Sequence, residues 1–254
     1  MNVLLYLKNL YAKENSLLNH ITLFAMLGIF TVSTMAYLST IIGNIYGSFF
    51  DFAPTTSVKA YFLLVLALML LFLFIGYIYS YINNSFNGKN ELPEVSLSAY
   101  SAFVKTLPVV ISWNIYEAFL FLIGFVTIPA TTKLFYIYYS ILICILPFIN
   151  LISVAFAKNF KYRPSLFSFI TIFRVLNQSL GEIIKLCLQT LLLSIIPVVI
   201  IFLMIKYSAT ISHQTLNLIA KLASLCFATY FIMIIKLVYS QGLVEIVKDK
   251  FSDI

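Results

Sequence analysis

The chain has 254 residues, of which 62% are hydrophobic and only 10% are charged. A soluble domain carries about 25% charged residues, because its surface must face water. With a mean hydropathy of +1.01 and a net charge of +7, the composition excludes a soluble globular fold and favours a protein that is partly solvated by lipid. The positive charges stand in ones and twos between apolar runs, a pattern typical of membrane topology signals that does not indicate nucleic-acid binding.

Six apolar segments are each long enough to cross a bilayer as an α-helix. About 20 residues span the hydrocarbon core at a rise of about 1.5 Å per residue. The sequence therefore predicts an all-α polytopic membrane bundle that forms a single transmembrane domain over residues 1–254. The predicted spans are 21–43, 60–82, 108–130, 134–157, 184–207 and 216–239.

The distribution of basic residues predicts the orientation of these spans. Twelve of the sixteen Lys and Arg residues lie in the N-terminal segment, the second and fourth connections and the C-terminal tail, and four lie in the other three connections. Because cytoplasmic connections carry the excess of positive charge, we expect both termini in the cytoplasm. The expected location is the cytoplasmic membrane of a bacterium or an archaeon, crossed by several spans.

Three segments on the predicted cytoplasmic side have the pattern of amphipathic helices. Between residues 165 and 182, polar side chains recur every three or four positions among apolar ones; residues 96–107 and 2–13 repeat the pattern more weakly. Such segments are expected to lie flat in the headgroup layer. With the spans they suggest three repeat units, about 1–82, 94–157 and 165–239, which either duplication or a common topological constraint explains.

The connection after the second span contains Gly88 and then the run Glu91-Leu92-Pro93-Glu94. Proline restricts Leu92 to extended geometry and favours a helix start, with Glu94 in the first turn. This connection and the six-span layout resemble a bacterial and archaeal membrane family catalogued as domain of unknown function 4013. The resemblance supports the topology, and the family implies no established activity.

Glu117 is the outstanding candidate for a functional residue. It lies nine residues into the third predicted span, about 13 Å deep and near the bilayer midplane, where a carboxylate must be protonated, paired or hydrated. The predicted intramembrane polar site consists of Glu117, Asn114, Trp113, Asn150, Gln189 and Lys185. It is either an ion, proton or substrate site or a neutral hydrogen-bonded group that holds helices together.

The sequence contains no phosphate-binding loop, zinc-protease motif or nucleophile elbow. We therefore expect no catalytic residues, no cofactor and no metal. The leading hypothesis is an accessory or scaffold protein that associates with membrane lipids, with a second copy of itself or with another membrane protein. The alternative is a six-span permease subunit of a transporter driven by a separate ATPase.

Overall fold

The computed structural model describes residues 2–41, 57–129 and 132–250. Helices make up 86% of it, and no β-strand occurs in these ranges. The described part contains seven α-helices and one short 3-10 helix at Pro164–Phe167. The α-helices are α1 (Val3–Ala12), α2 (Ser16–Ile41), α3 (Ser57–Phe86), α4 (Ser98–Thr127), α5 (Lys133–Ala157), α6 (Phe169–Ser208) and α7 (Gln214–Lys250).

The prediction of a helical membrane bundle is confirmed. Five helices, namely α2, α3, α4, α6 and α7, are long and apolar enough to cross a bilayer. The remaining predicted span, 134–157, coincides with α5. Its 25 residues reach about 37 Å at 1.5 Å per residue. The pairs α2–α3, α4–α5 and α6–α7 each pack together, so every predicted unit contains one such pair; the repeat itself stays a prediction.

The amphipathic segments differ from the prediction in one respect. Residues 2–13 form a helix of their own, α1, with the Asn2 side chain accepting hydrogen bonds from the backbone of Leu4 and Leu5. Residues 96–107 and 165–182 instead belong largely to α4 and α6, which continue into the following spans without a break. In α4 and α6, the sequence pattern changes from amphipathic to uniformly apolar within one continuous helix. The change of pattern therefore does not mark the end of a helix.

The helices bury their side chains mainly at one end of the bundle. In residues 237–247 of α7, Leu237, Leu243 and Val244 are at most 1% exposed, and buried residues occur on every side of the helix. Residues 151–157 of α5 are buried without interruption. We call this region the packed end; it comprises α1, residues 83–97, residues 151–168, the first turns of α4 and α6, and residues 237–250.

The halves of the spans that lie away from the packed end expose large apolar side chains. Phe125 and Val126 of α4 are more than 70% exposed, and residues 195–203 of α6 and the start of α7 show the same tendency. In water this surface would be unfavourable, but acyl chains cover it in a bilayer. The helix α6 has 40 residues, about 60 Å at 1.5 Å per residue. Since the hydrocarbon core is only about 30 Å thick, the packed end must extend out of it.

Two helices cross at unusually short range inside the packed end. A Cβ atom on Gly76 of α3 would lie 1.9 Å from the carbonyl oxygen of Ala99 in α4. The obstacle is backbone, which cannot rotate out of the way. Glycine at position 76 therefore allows α4 to begin against α3, where the Phe72 and Phe103 rings stack with centroids 4.6 Å apart.

We predict that Gly76→Ala separates these helices and lowers the free energy of unfolding by about 1–3 kcal/mol, the usual cost of overpacking. Gly181→Ala is the matched control, because Gly181 is also helical and a Cβ there meets no atom within 4 Å. The control should be neutral or stabilising by up to about 1 kcal/mol, since alanine favours a helix. Denaturation by a graded series of detergent mixtures measures both values; equal effects would contradict the close crossing.

Candidate functional site

The structure places Trp113 of the predicted intramembrane site four turns into α4, where its side chain contacts the packed end. Its side chain is 1% exposed, and its indole Nε1 donates a hydrogen bond to the carbonyl oxygen of Leu166 at 2.8 Å. Leu166 belongs to the 3-10 helix between α5 and α6. Trp113 thus fixes this connection against α4. The side chains of Asn114 and Glu117 lie outside the described part of the structure.

The other three predicted site residues lie on different helices. Asn150 is half-buried on α5, Gln189 is half-buried on α6, and Lys185 is exposed. The principal neighbours of α4 are α3 and α5, whereas α6 packs mainly against α7, α5 and α1. Within the described residues, α5 therefore separates the helix of Trp113 from the helix of Gln189 and Lys185. An intramembrane site at Glu117 remains a prediction.

The packed end instead holds a polar cleft that the sequence did not predict. Its volume is about 350 Å³, and its polar lining includes the side chains of Asn84, Lys89, Glu91, Glu94 and Ser98. These lie at the end of α3, in the following connection and at the start of α4. The cleft therefore coincides with the connection that carries the Leu-Pro-Glu sequence.

Backbone and side-chain hydrogen bonds attach this connection to the junction between α1 and α2. The amide of Leu92 donates to Oδ1 of Asn15 at 3.2 Å, and Nδ2 of Asn15 donates to the Leu92 carbonyl at 3.4 Å. The amide of Glu14 donates to the Asn90 carbonyl at 3.1 Å. Because Leu92 itself is 2% exposed, the connection is anchored by both polar and apolar contacts.

Asn15 can occupy this position because of its backbone conformation. Its φ of 54° lies in the left-handed region, where asparagine is tolerated better than most residues. The turn reverses the chain between α1 and α2 and directs the amide side chain at Leu92. A second left-handed residue, Gly88 with φ of 68°, ends α3 and starts the connection from the other side.

Polar side chains also satisfy the carbonyl groups at the ends of buried helices. Nδ2 of Asn83 donates to the carbonyls of Ala157 and Lys158 at 2.9 and 3.0 Å. The Lys248 ammonium donates to the Ser85 carbonyl at 2.9 Å. The last carbonyls of a helix have no partner within it and carry partial negative charge. These contacts therefore join the ends of α3, α5 and α7.

Two ionisable groups of the N-terminal segment contribute to the same assembly. Burial and a hydrogen bond to Glu245 raise the pKa of the Tyr6 phenol, so the hydroxyl stays protonated and donates to that carboxylate. Burial lowers the pKa of the Lys13 ammonium, which donates to the Lys89 carbonyl at 3.0 Å and lies 5.5 Å from the centre of the Tyr81 ring.

The arrangement suits recognition by hydrogen bonds and charge. Lys89, Glu91 and Glu94 on the cleft are all exposed, so no strongly buried acid or base faces it. Among the described residues, no group of three or more His, Cys, Asp or Glu side chains could hold a metal ion. Glu94 does not occupy the first turn of α4, as the sequence suggested, because that helix begins four residues later at Ser98.

Comparison with known proteins adds no relative. No family model matches the chain, and neither a curated protein nor a solved structure matches it. The resemblance to the family of unknown function 4013 therefore stays a prediction. Long-range partners such as Asn15 with Leu92 carry no local sequence signal, although Gly88 and the Leu-Pro-Glu run did mark this connection as distinctive.

We predict that Asn15→Gly lowers the free energy of unfolding by about 1–3 kcal/mol through the loss of two hydrogen bonds. Asn15→Ala should lose about 1–2 kcal/mol more, because alanine is strained in the left-handed region. Asn84→Ala, which alters the cleft at a side chain with no hydrogen bond in the described structure, should stay within about 0.5 kcal/mol of the unsubstituted protein. Detergent unfolding and proteolysis of residues 87–97 report these changes; an Asn84→Ala variant as unstable as Asn15→Ala would contradict the assignment.

Proposed function

We propose that the protein is a membrane-anchored accessory or scaffold protein whose polar cleft binds a segment of a partner protein. The observation that carries the proposal is a preformed polar cleft in a connection held on both sides by hydrogen bonds. Such a connection can present its side chains without ordering them on binding, which lowers the entropic cost of association. The spans anchor this surface to the membrane.

The chemistry of the cleft suggests what the partner offers. Glu91 and Glu94 are exposed on its lining and Lys89 is the cation among them, so the side chains add up to a single negative charge. A polar peptide segment with at least one Lys or Arg side chain complements this lining. By the excess of basic residues, the cleft would face the cytoplasm of a bacterial or archaeal cell.

The alternative, a permease subunit of an ATP-driven transporter, would use the same face. An ATPase that couples to a permease must contact the cytoplasmic ends of its helices, and the packed end is the corresponding surface here. The cleft at the packed end supports a bound partner under either proposal, and the apolar side chains exposed on the opposite halves of the spans support a membrane anchor. The two proposals differ in the partner, because a permease subunit would bind a protein that hydrolyses ATP.

The test is site-specific photo-crosslinking in native membranes. A photoreactive amino acid at Ser98, an exposed residue on the cleft, should give discrete protein adducts. The same amino acid at Tyr136, 66% exposed on the opposite half of α5, should give lipid adducts alone. The double charge reversal Glu91→Lys with Glu94→Lys should reduce the Ser98 adduct at least tenfold.

The reversal variant must first be shown to unfold like the unsubstituted protein, which is expected because both glutamates are exposed. Identical adducts from positions 98 and 136, or a Ser98 adduct that survives the charge reversal, would contradict partner binding in the cleft. An adduct whose partner hydrolyses ATP would favour the permease subunit.

A further inference from the structure

A second cavity lies where α1 meets α6, apart from the polar cleft. It has a volume of about 310 Å³ and is mainly apolar, lined by the start of α1 and by residues such as Leu192 and Ile196 of α6. Leu4 of α1, Leu192 and Ile196 are each more than 60% exposed. These side chains border the part of α6 that crosses the membrane, so the groove opens toward lipid.

One polar group in this groove lacks a partner. Gln189 lines the cavity, and its amide oxygen is buried without a hydrogen bond within the described structure. A buried amide oxygen without a hydrogen-bond partner is unfavourable. A molecule that occupies the groove and brings polar atoms to this depth would remove that cost.

A positive charge stands one helical turn from Gln189. Lys185 precedes it by four residues, which places both side chains on the same face of α6 about 6 Å apart along the axis. Lys185 is exposed and forms no ion pair among the described residues. The neighbouring Glu182 is engaged elsewhere, because its carboxylate lies 2.8 Å from the Lys250 ammonium.

The order of these groups along α6 matches the order of groups in a phospholipid. Lys185 lies about 9 Å before Leu191, at 1.5 Å per residue. Ile184 and Leu188 are already about half exposed, and from Leu191 to Leu203 exposed apolar side chains follow in close succession. The distance from Lys185 to Leu191 corresponds to the headgroup layer. Below the phosphate, a glycerophospholipid carries ester groups that an amide can hydrogen-bond directly or through a water molecule, and below those it carries acyl chains.

We propose that this groove binds an anionic glycerophospholipid, with its phosphate at Lys185, its glycerol region at Gln189 and one acyl chain along the apolar residues that follow. The charge of Lys185 favours a negative headgroup. A second lysine, Lys8, lies on α1 one turn after Leu4 and adds positive charge. The site is independent of the polar cleft and of the partner proposed for it.

Native mass spectrometry of the full chain in mild detergent tests the proposal, with phosphatidylglycerol as the anionic probe and phosphatidylcholine as the zwitterionic one. The unsubstituted protein should bind phosphatidylglycerol more tightly. Lys185→Gln should weaken that binding about fivefold, the effect expected for one basic residue near an anionic surface. It should weaken phosphatidylcholine binding less, because the choline group offsets the charge of the phosphate. Lys206→Gln, which removes an exposed lysine at the other end of α6, is the matched control and should change neither.

Gln189→Leu tests the contribution of the amide separately from that of the Lys185 charge. The variant should bind both lipids more weakly and to a similar extent, because both contain the ester region. Its preference for phosphatidylglycerol should persist. A phosphatidylglycerol with a photoreactive acyl chain should label residues 189–196. The proposal would be overturned by any of three results. These are equal effects of Lys185→Gln and Lys206→Gln, unchanged lipid binding by the Gln189→Leu variant, or labelling spread evenly over all exposed spans.

Discussion

Burial of residues 237–247 of α7 is the constraint on which the rest of the structure depends. Side chains around the whole circumference of this segment are buried, so other helices must surround it. α7 packs against α1, α2, α3, α5 and α6. Within lipid, helices gain little from hiding apolar side chains, because acyl chains are as apolar as leucine. Outside the hydrocarbon core the gain is about 1.5–3 kcal/mol for each fully buried large apolar side chain, so stability is concentrated at the packed end.

When several helix ends are packed together, their last carbonyl groups lose their hydrogen bonds to water and need other donors. Side chains from other helices supply these donors. Asn83 donates to the carbonyl of Ala157 at the end of α5, and Lys248 donates to the carbonyl of Ser85 at the end of α3. Asn15 does the same for the connection that follows α3. The polar cleft is a consequence of this arrangement, since it lies between the anchored connection and the helix ends.

The sequence alone was sufficient for the helical class and for the approximate positions of five helices that can span a membrane, because hydrophobic run length and periodicity are local properties. It placed the end of the last span near Tyr239, although α7 continues to Lys250 as its most enclosed part. The sequence analysis treated the basic residues there as a cytoplasmic tail, whereas burial came from helices distant in sequence. The polar cleft was missed for the same reason. Trp113 was assigned to the intramembrane site around Glu117, which stays a prediction, and its hydrogen-bond partner Leu166 lies 53 residues away.

The most direct measurement compares two leucine truncations by reversible detergent unfolding. Leu243 is 1% exposed within the packed end, and Leu191 is 63% exposed on the lipid-facing side of α6. If stability is concentrated at the packed end, Leu243→Ala should lower the free energy of unfolding by about 2–5 kcal/mol, as in a protein core. Leu191→Ala should lower it by less than about 1 kcal/mol, because lipid fills the space. Equal losses for the two variants, or a larger loss for Leu191→Ala, would contradict the account.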